Sequence, residues 1–335
     1  MKIPKYIILG NYNYSGSGAV ADFLREFPCL YCEDAEIRFV TDPYGIIELE
    51  SKLIDNWDWI ASSAAVSDFV ETINKGIGKR SHSPLAKFGL GYGRINPDFE
   101  NIVETFVNKL IDFRYENDCY HYKAKKTYVK YVYDRITYGL RVYTKGKIDI
   151  SIGSKKNAYF SRPDKETFYT AVREFFNDIY EPYLNNGQHI VLDQALTPNE
   201  ATRLANYFDD AKMIIIDRDL RDIYADSCLL HKDDMFANMD AKSAANNFLK
   251  LQAAMREKTY NSSSLLRIKF EDLVTDYDVT TKQIMDFLGL AEEMHVNKKK
   301  HFNPEVSVKN VGLWRSYVMH EGHREVFERI GNYCS

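Results

Sequence analysis

The chain has no surplus of positive charge and no long apolar run. Its 44 Lys and Arg are outnumbered by 48 Asp and Glu, a formal net charge of −4. That balance argues against a general nucleic-acid binder, while leaving room for a local basic pocket. No stretch approaches the roughly 18 apolar residues of a membrane helix, and the run near Lys2 and Lys5 is short for a signal peptide and interrupted by Pro4. A cytoplasmic protein without an integral membrane segment is expected, and in that setting the Asn13-Tyr14-Ser15 and Asn261-Ser262-Ser263 sequons carry no meaning. Five cysteines, an odd number, fit a reducing compartment. Cys29 and Cys32 make a CxxC with no second pair, which reads as buried structural thiols. His320-Glu321-Gly322-His323 has its histidines three apart, where a zincin helix needs four, so no metal is expected.

What the chain does have is a strand, a glycine-rich loop and a helix between Lys5 and Glu36. The apolar run Tyr6 to Leu9 stops at Gly10, a polar turn ends in Ser15-Gly16-Ser17-Gly18, and Ala19, Val20, Phe23, Leu24 and Phe27 follow at helical spacing. Glycines let backbone pass close to a bound anion, and the free N–H groups of a helix's first turn attract phosphate. The segment therefore reads as a phosphate cradle. It is neither GxxxxGK[ST] nor GxGxxG, and alone it is equally a tight strand-to-helix turn.

At 335 residues and 45% apolar, the chain can bury one large α/β core. One domain over residues 1–335 is expected, with an insertion at 75–163 serving as an acceptor-binding subregion. Between Arg114 and Arg162, 12 Lys and Arg face four acids, and Tyr120, Tyr122, Tyr128, Tyr131, Tyr133, Tyr138 and Tyr143 are interleaved with them. This suits a groove for a sugar chain or polyanion, or else a solvated helical face. Beyond Pro163 strands and helices alternate: helix Thr167 to Leu184, strand His189 to Leu192, a helix opened by Pro198, the buried strand Met213 to Asp217, helix Ala241 to Lys258 and strand Leu265 to Phe270. That rhythm predicts an α/β fold, a three-layer doubly wound parallel sheet with helices on both faces and its ligand at the strands' carboxyl ends.

Four stretches together resemble the sulfotransferases that use 3′-phosphoadenosine-5′-phosphosulfate (PAPS). Gly10 to Gly18 resembles their 5′-phosphosulfate loop, and Met213 to Ser227, MIIIDRDLRDIYADS, their 3′-phosphate motif. Leu266 to Leu290 is similar to their RYEDL…FLGL segment, and Ser307 to Arg315, SVKNVGLWR, to the late K-x-x-G-x-W loop. The layout is nearest to carbohydrate, heparan-type and bacterial members, and leaves the middle third unmatched. The resemblance implies a P-loop-like fold, PAPS as co-substrate with the product PAP, no metal, and sulfuryl transfer to a hydroxyl. The acceptor it implies is a carbohydrate or other small molecule, with sterol, lipid and phenolic alcohols as rivals. Homo-oligomerisation is compatible with all of this.

The resemblance assigns Tyr14, Ser15, Gly16, Ser17, Gly18 and Ala19 to the 5′-phosphosulfate, and Arg218, Asp226 and Ser227 to the 3′-phosphate. Lys309, Asn310, Val311, Gly312, Trp314 and Arg315 would close over the nucleotide. Cations are needed because a helix N-terminus supplies only about 0.3–2 kcal/mol toward one of the co-substrate's charges. Glu36, 22 residues after Tyr14 in a Glu-Ile-Arg-Phe context, is the implied general base, with His189 and Asp193 behind it. Three positions depart from the pattern: Tyr14 for a Lys or Arg, Leu220 for a proline, and Asp226 for a serine. Two other readings stay open: a glycosyltransferase using Asp217-Arg218-Asp219 as a DxD, and a non-catalytic relative that binds nucleotide or glycan.

Overall fold

The computed structural model describes residues 2–34, 36–77, 92–117, 128–148, 156–230, 236, 239–258, 260, 262–318 and 321–334. Lys155, His320, Tyr120 and Tyr122 lie outside the described residues. Two compact units form, one of Met1–Thr41 with Phe176–Ser335, the other of Asp42–Phe175. In chain order the main elements are β1 (Tyr6–Gly10), α1 (Ser17–Leu24), β2 (Leu30–Cys32), α2 (Trp59–Ile77), α3 (Phe99–Leu110), β3 (Phe113–Asn117), α4 (Tyr128–Tyr143), β4 (Lys156–Phe160) and α5 (Lys165–Asn185). There follow β5 (His189–Asp193), β6 (Ala211–Asp217), α6 (Leu220–Tyr224), α7 (Ala241–Met255), β7 (Leu265–Lys269), α8 (Phe270–Thr275), α9 (Tyr277–Leu288) and α10 (Glu321–Cys334).

The first unit is built on five parallel strands in the order β2-β5-β1-β6-β7. β1 is central, with Leu9 opposite Asp193 of β5 on one side and Ile214 of β6 on the other. The chain winds outward from β1 in both directions, so the strand order reverses there and a crevice opens beyond the carboxyl ends of β1, β5 and β6. Tyr6, Ile7, Ile8 and Leu9 are fully buried because both faces of the sheet are covered. Ile7 and Leu9 pack with Val20, Phe23 and Leu24 of α1 and with Ile284 and Leu288 of α9. Tyr6 lies 5.4 Å from the ring of Phe208, which in turn meets Phe176 at 4.4 Å. This is the three-layer, doubly wound α/β fold with a parallel sheet that the alternating pattern predicts. Cys29 and Cys32 are reduced and partly covered, and burial pushes the Cys32 thiol up to about 12, which leaves it inert.

The second unit is helical around the antiparallel pair β3–β4. α3 turns Phe99, Ile102, Val103, Phe106, Val107 and Leu110 inward, and Phe106 stacks on Phe175 at 4.6 Å. On α4, Tyr128, Tyr138 and Tyr143 stand exposed beside exposed Val129, Ile136 and Val142. Among the described residues no helix is long and apolar enough to cross a membrane.

Candidate active site

The loop from β1 into α1 is tightly wound: Asn13, Tyr14 and Gly16 have φ of 53°, 51° and 95°. Left-handed backbone at two non-glycine residues in succession is strained, and such strain concentrates at binding loops. Gly16 is required on two counts, its φ and its neighbour, since a Cβ there would stand 2.6 Å from Cδ2 of Phe270. At Gly18 a Cβ would meet nothing within 4 Å, so the first turn of α1 has open space before it. Ser15 is buried, and its hydroxyl accepts from the Tyr12 amide at 3.2 Å, bracing the loop. The Ser17 hydroxyl accepts from Nδ2 of Asn11 at 2.7 Å and donates to Oδ2 of Asp193 at 3.1 Å.

Arg218, one residue past β6, ties three segments together. Nη1 donates to the Tyr14 carbonyl at 2.8 Å and to Oδ2 of Asp226 at 2.6 Å, and Nη2 donates to the Asn310 carbonyl at 3.0 Å. Its side chain is 4% exposed and lies over the Phe270 ring, 5.0 Å from the centroid. The cradle, the end of β6 and the late loop therefore meet at one guanidinium. Nε of Arg218 is buried without a hydrogen-bond partner among the described residues. Asp222, fully buried, accepts from the Gly312 amide at 2.7 Å and the Trp314 amide at 3.0 Å, pinning the late loop to α6. Its carboxyl is raised, chiefly by burial. Leu220 departs from proline at no cost: it sits in the first turn of α6, capped by Asp219, and packs with Ile223 and Phe327.

A second carboxylate fixes the cleft's far wall. Glu26 is fully buried, accepts from the amides of His301 and Phe302 at 3.1 and 3.0 Å, and meets Nε2 of His295 at 2.5 Å. The His295 ring stacks on Phe27 at 4.6 Å. The segment 301–303 is thus tied to the turn that follows α1.

These groups enclose a cleft of about 900 Å³ lined by Asn11, Tyr14, Gly16 to Ala19, Glu36, Arg38, Asp193, Arg218, Asp226, Phe270 and Asn310 among others. Burial, with the nearby Glu36 charge adding to it, raises the Asp193 carboxyl from its ordinary 3.8 to about 6, while the Ser17 hydroxyl works against the rise. Glu36 is half exposed, 4.0 Å from Nη1 of Arg38, which also donates to Oε1 of Gln194 at 2.8 Å.

Several residues singled out by sequence lie off this cleft. His189 stands at the amino end of β5, the end away from the cleft, and contacts the Pro4 carbonyl through Nδ1 at 2.8 Å. The Ser227 hydroxyl donates to the Ile223 carbonyl within its own helix. Lys309, Val311, Gly312, Trp314 and Arg315 do not line the cleft; Trp314 turns toward α10, 5.7 Å from Phe327. Conversely, Asn11, Arg38, Gln194, Phe270 and the stretch 301–303 line it without having been assigned from sequence. Arg38 was within reach of that reading, because it lies in the same Glu-Ile-Arg-Phe stretch as Glu36.

A tightly wound, glycine-bearing loop at the switch point of a doubly wound sheet stands where such folds take their ligands. A sequence profile of the Sulfotransferase family matches residues 140–294, spanning both the Met213–Ser227 and Leu266–Leu290 motifs. The match takes in just under half of the chain and supports a sulfotransferase, a family whose co-substrate is PAPS. Solved structures similar to it include the sulfotransferase domain of the Synechococcus PCC 7002 olefin synthase, at 15% identity, TM-score 0.40, with 100% of this chain and 96% of that one covered. A sulfotransferase from Mycobacterium avium (12% identity, TM-score 0.35, 96% and 69% covered) is another. So is a retinol dehydratase in complex with androsterone and inactive cofactor PAP (14%, 0.32, 99% and 81%). No curated protein matches the sequence.

Proposed function

We propose that the chain moves the sulfuryl group of PAPS to a hydroxyl of a carbohydrate acceptor. The carrying observation is the Arg218 node, where the cradle and the late loop meet at a single buried cation. The residues fit a phosphosulfate: Gly16 to Ala19 line the cleft at the start of α1, a Cβ at Gly18 would meet nothing within 4 Å, and Arg218 keeps an unused donor at Nε. PAPS, when bound, supplies the transferable sulfuryl group.

In this reading Ser17, Gly18 and Ala19 hold the 5′-phosphosulfate through the start of α1. Glu36 takes the proton of the attacking hydroxyl, and Asp193 is the second carboxylate, held by Ser17. Arg38, 4.0 Å from Glu36, is among the described residues the cleft's cation nearest to this chemistry and takes the part that a Lys or Arg at position 14 would play. Positioning and anion stabilisation carry the rate, by analogy with phosphoryl transfer. We assign acceptor binding to the subregion 75–163 of a single domain. Exposed Tyr128, Tyr138 and Tyr143, among the basic residues of that segment, support a glycan. Exposed Val129, Ile136 and Val142 on the same helix favour a second reading, a lipid or phenolic alcohol.

Incubation with labelled PAPS and a panel of glycans, lipids and phenols, read by mass spectrometry, tests the proposal. Label on a glycan hydroxyl is the expected result, and label on lipid or phenol alone moves the acceptor to the second reading. PAP binding by calorimetry with no transfer to any acceptor sinks the catalytic reading in favour of a binding protein.

A further inference from the structure

Among the described residues the cleft is lined by two guanidiniums, Arg38 and Arg218, and by four carboxylates, Asp22, Glu36, Asp193 and Asp226. For a site that takes a polyanionic nucleotide this is a poor charge balance, and its sharpest expression is at Arg218. Of that residue's five N–H groups, three are already given to Tyr14, Asp226 and Asn310. The charge itself is met by Asp226 in a 2.6 Å contact, with Arg218 at 4% and Asp226 at 18% side-chain exposure.

A charge-assisted pair shielded from water is hard to displace, because whichever partner leaves must be desolvated again or find a new counter-ion. A second anion brought to Arg218 must either oust Asp226 or share the guanidinium with it at close range. A neutral hydroxyl meets no such penalty, since a carboxylate accepts a hydrogen bond from it. The same logic lets an acidic residue choose a free ribose hydroxyl over a phosphorylated one in dinucleotide sites.

We propose that Asp226 is a specificity-determining residue for the nucleotide. It occupies Arg218 as an internal counter-ion, so the protein gains little from a 3′-phosphate and accepts adenosine nucleotides with a free 3′-hydroxyl nearly as well. The inference rests on the nucleotide reading of the cleft given above and deepens it at the ribose end. Asp226 faces Arg218 from the helical turn that follows α6, and Tyr14 and Asn310 hold the guanidinium from the other sides. The guanidinium cannot swing away to serve both anions separately.

The test is calorimetric titration of the full chain with PAP and with adenosine 5′-monophosphate, for the wild type and for Asp226→Asn and Asp226→Ser. In the wild type the two nucleotides should bind within about tenfold of each other, and the variants should gain at least about tenfold for PAP while the monophosphate changes little. A wild-type preference for PAP of a hundredfold or more overturns the inference while leaving the nucleotide site intact. The wild-type comparison stands even if both variants fail to fold. Weaker PAP binding in folded variants also overturns it, because Asp226 would then be supporting the 3′-phosphate. Binding of neither nucleotide to any of the three proteins overturns the nucleotide reading and this inference with it.

Discussion

Replacing Asp193 by Asn should stabilise the fold, by an amount that depends on pH in a defined way. The Asp193 carboxyl sits at the end of β5 with Oδ2 on Ser17, while Oδ1 is buried without a hydrogen-bond partner among the described residues. Burial lifts its pKa from 3.8 to about 6. Below pH 3.8 the carboxyl is protonated in both folded and unfolded chains and costs nothing. Between 3.8 and 6 the unfolded chain sheds its proton while the folded one retains it, so stability falls as pH rises, and above 6 the loss is complete. At about 1.4 kcal/mol per tenfold in acidity, the full loss is about 3 kcal/mol. Asn has no proton to lose and keeps an acceptor for Ser17, so Asp193→Asn should match the wild type near pH 4 and exceed it by about 2–3 kcal/mol at pH 8. Urea unfolding of both proteins at the two pH values reads this as a difference of differences, in which the titrating groups not coupled to Asp193 cancel. A gap that changes by less than about 1 kcal/mol between pH 4 and pH 8 refutes a buried, strained carboxylate at this position.

Glu36→Gln should lower kcat by about a hundredfold or more with PAP affinity unchanged in calorimetry, and an undiminished kcat removes Glu36 as the base. Gly16→Ala forces a methyl against Phe270 at a left-handed residue and should cost about 2–4 kcal/mol by denaturant titration. Gly18→Ala, whose methyl meets nothing within 4 Å, should fold at least as stably yet lose PAP affinity, since that methyl enters the space before α1. Equal stability of the two alanine variants contradicts the geometry of the cradle. Tyr14→Lys should leave turnover unchanged or lower, because Arg38 already supplies the charge, and a raised rate in steady-state assays takes that part away from Arg38.

Much of the cleft was legible because its makers are local. Gly10, Ser15-Gly16-Ser17-Gly18 and the apolar period after them specify strand, turn and helix within twenty residues, and the buried run Met213 to Asp217 leaves Arg218 just past a strand's carboxyl end. The same rule separates Asp193 from His189. In a parallel sheet only the carboxyl ends face the ligand, so one strand of five residues holds a site carboxylate at its end and an unrelated histidine at its start. What escaped reading depends on contacts between distant parts of the chain. Glu26 reaches His295 across 269 residues, Phe270 closes on Gly16, and neither pairing has any period or motif to announce it.

The late loop shows the mixture most plainly. The resemblance puts it over a nucleotide, yet of the loop only Ser307 and Asn310 line the cleft, the latter with its carbonyl on Arg218, while Trp314 is drawn off toward α10. The cause is Asp222, whose carboxylate takes both the Gly312 and Trp314 amides and so fixes which way the loop turns. One buried acid thereby decides what an otherwise recognisable basic and aromatic segment can touch. A second, Asp226, bears in the same way on what Arg218 can hold.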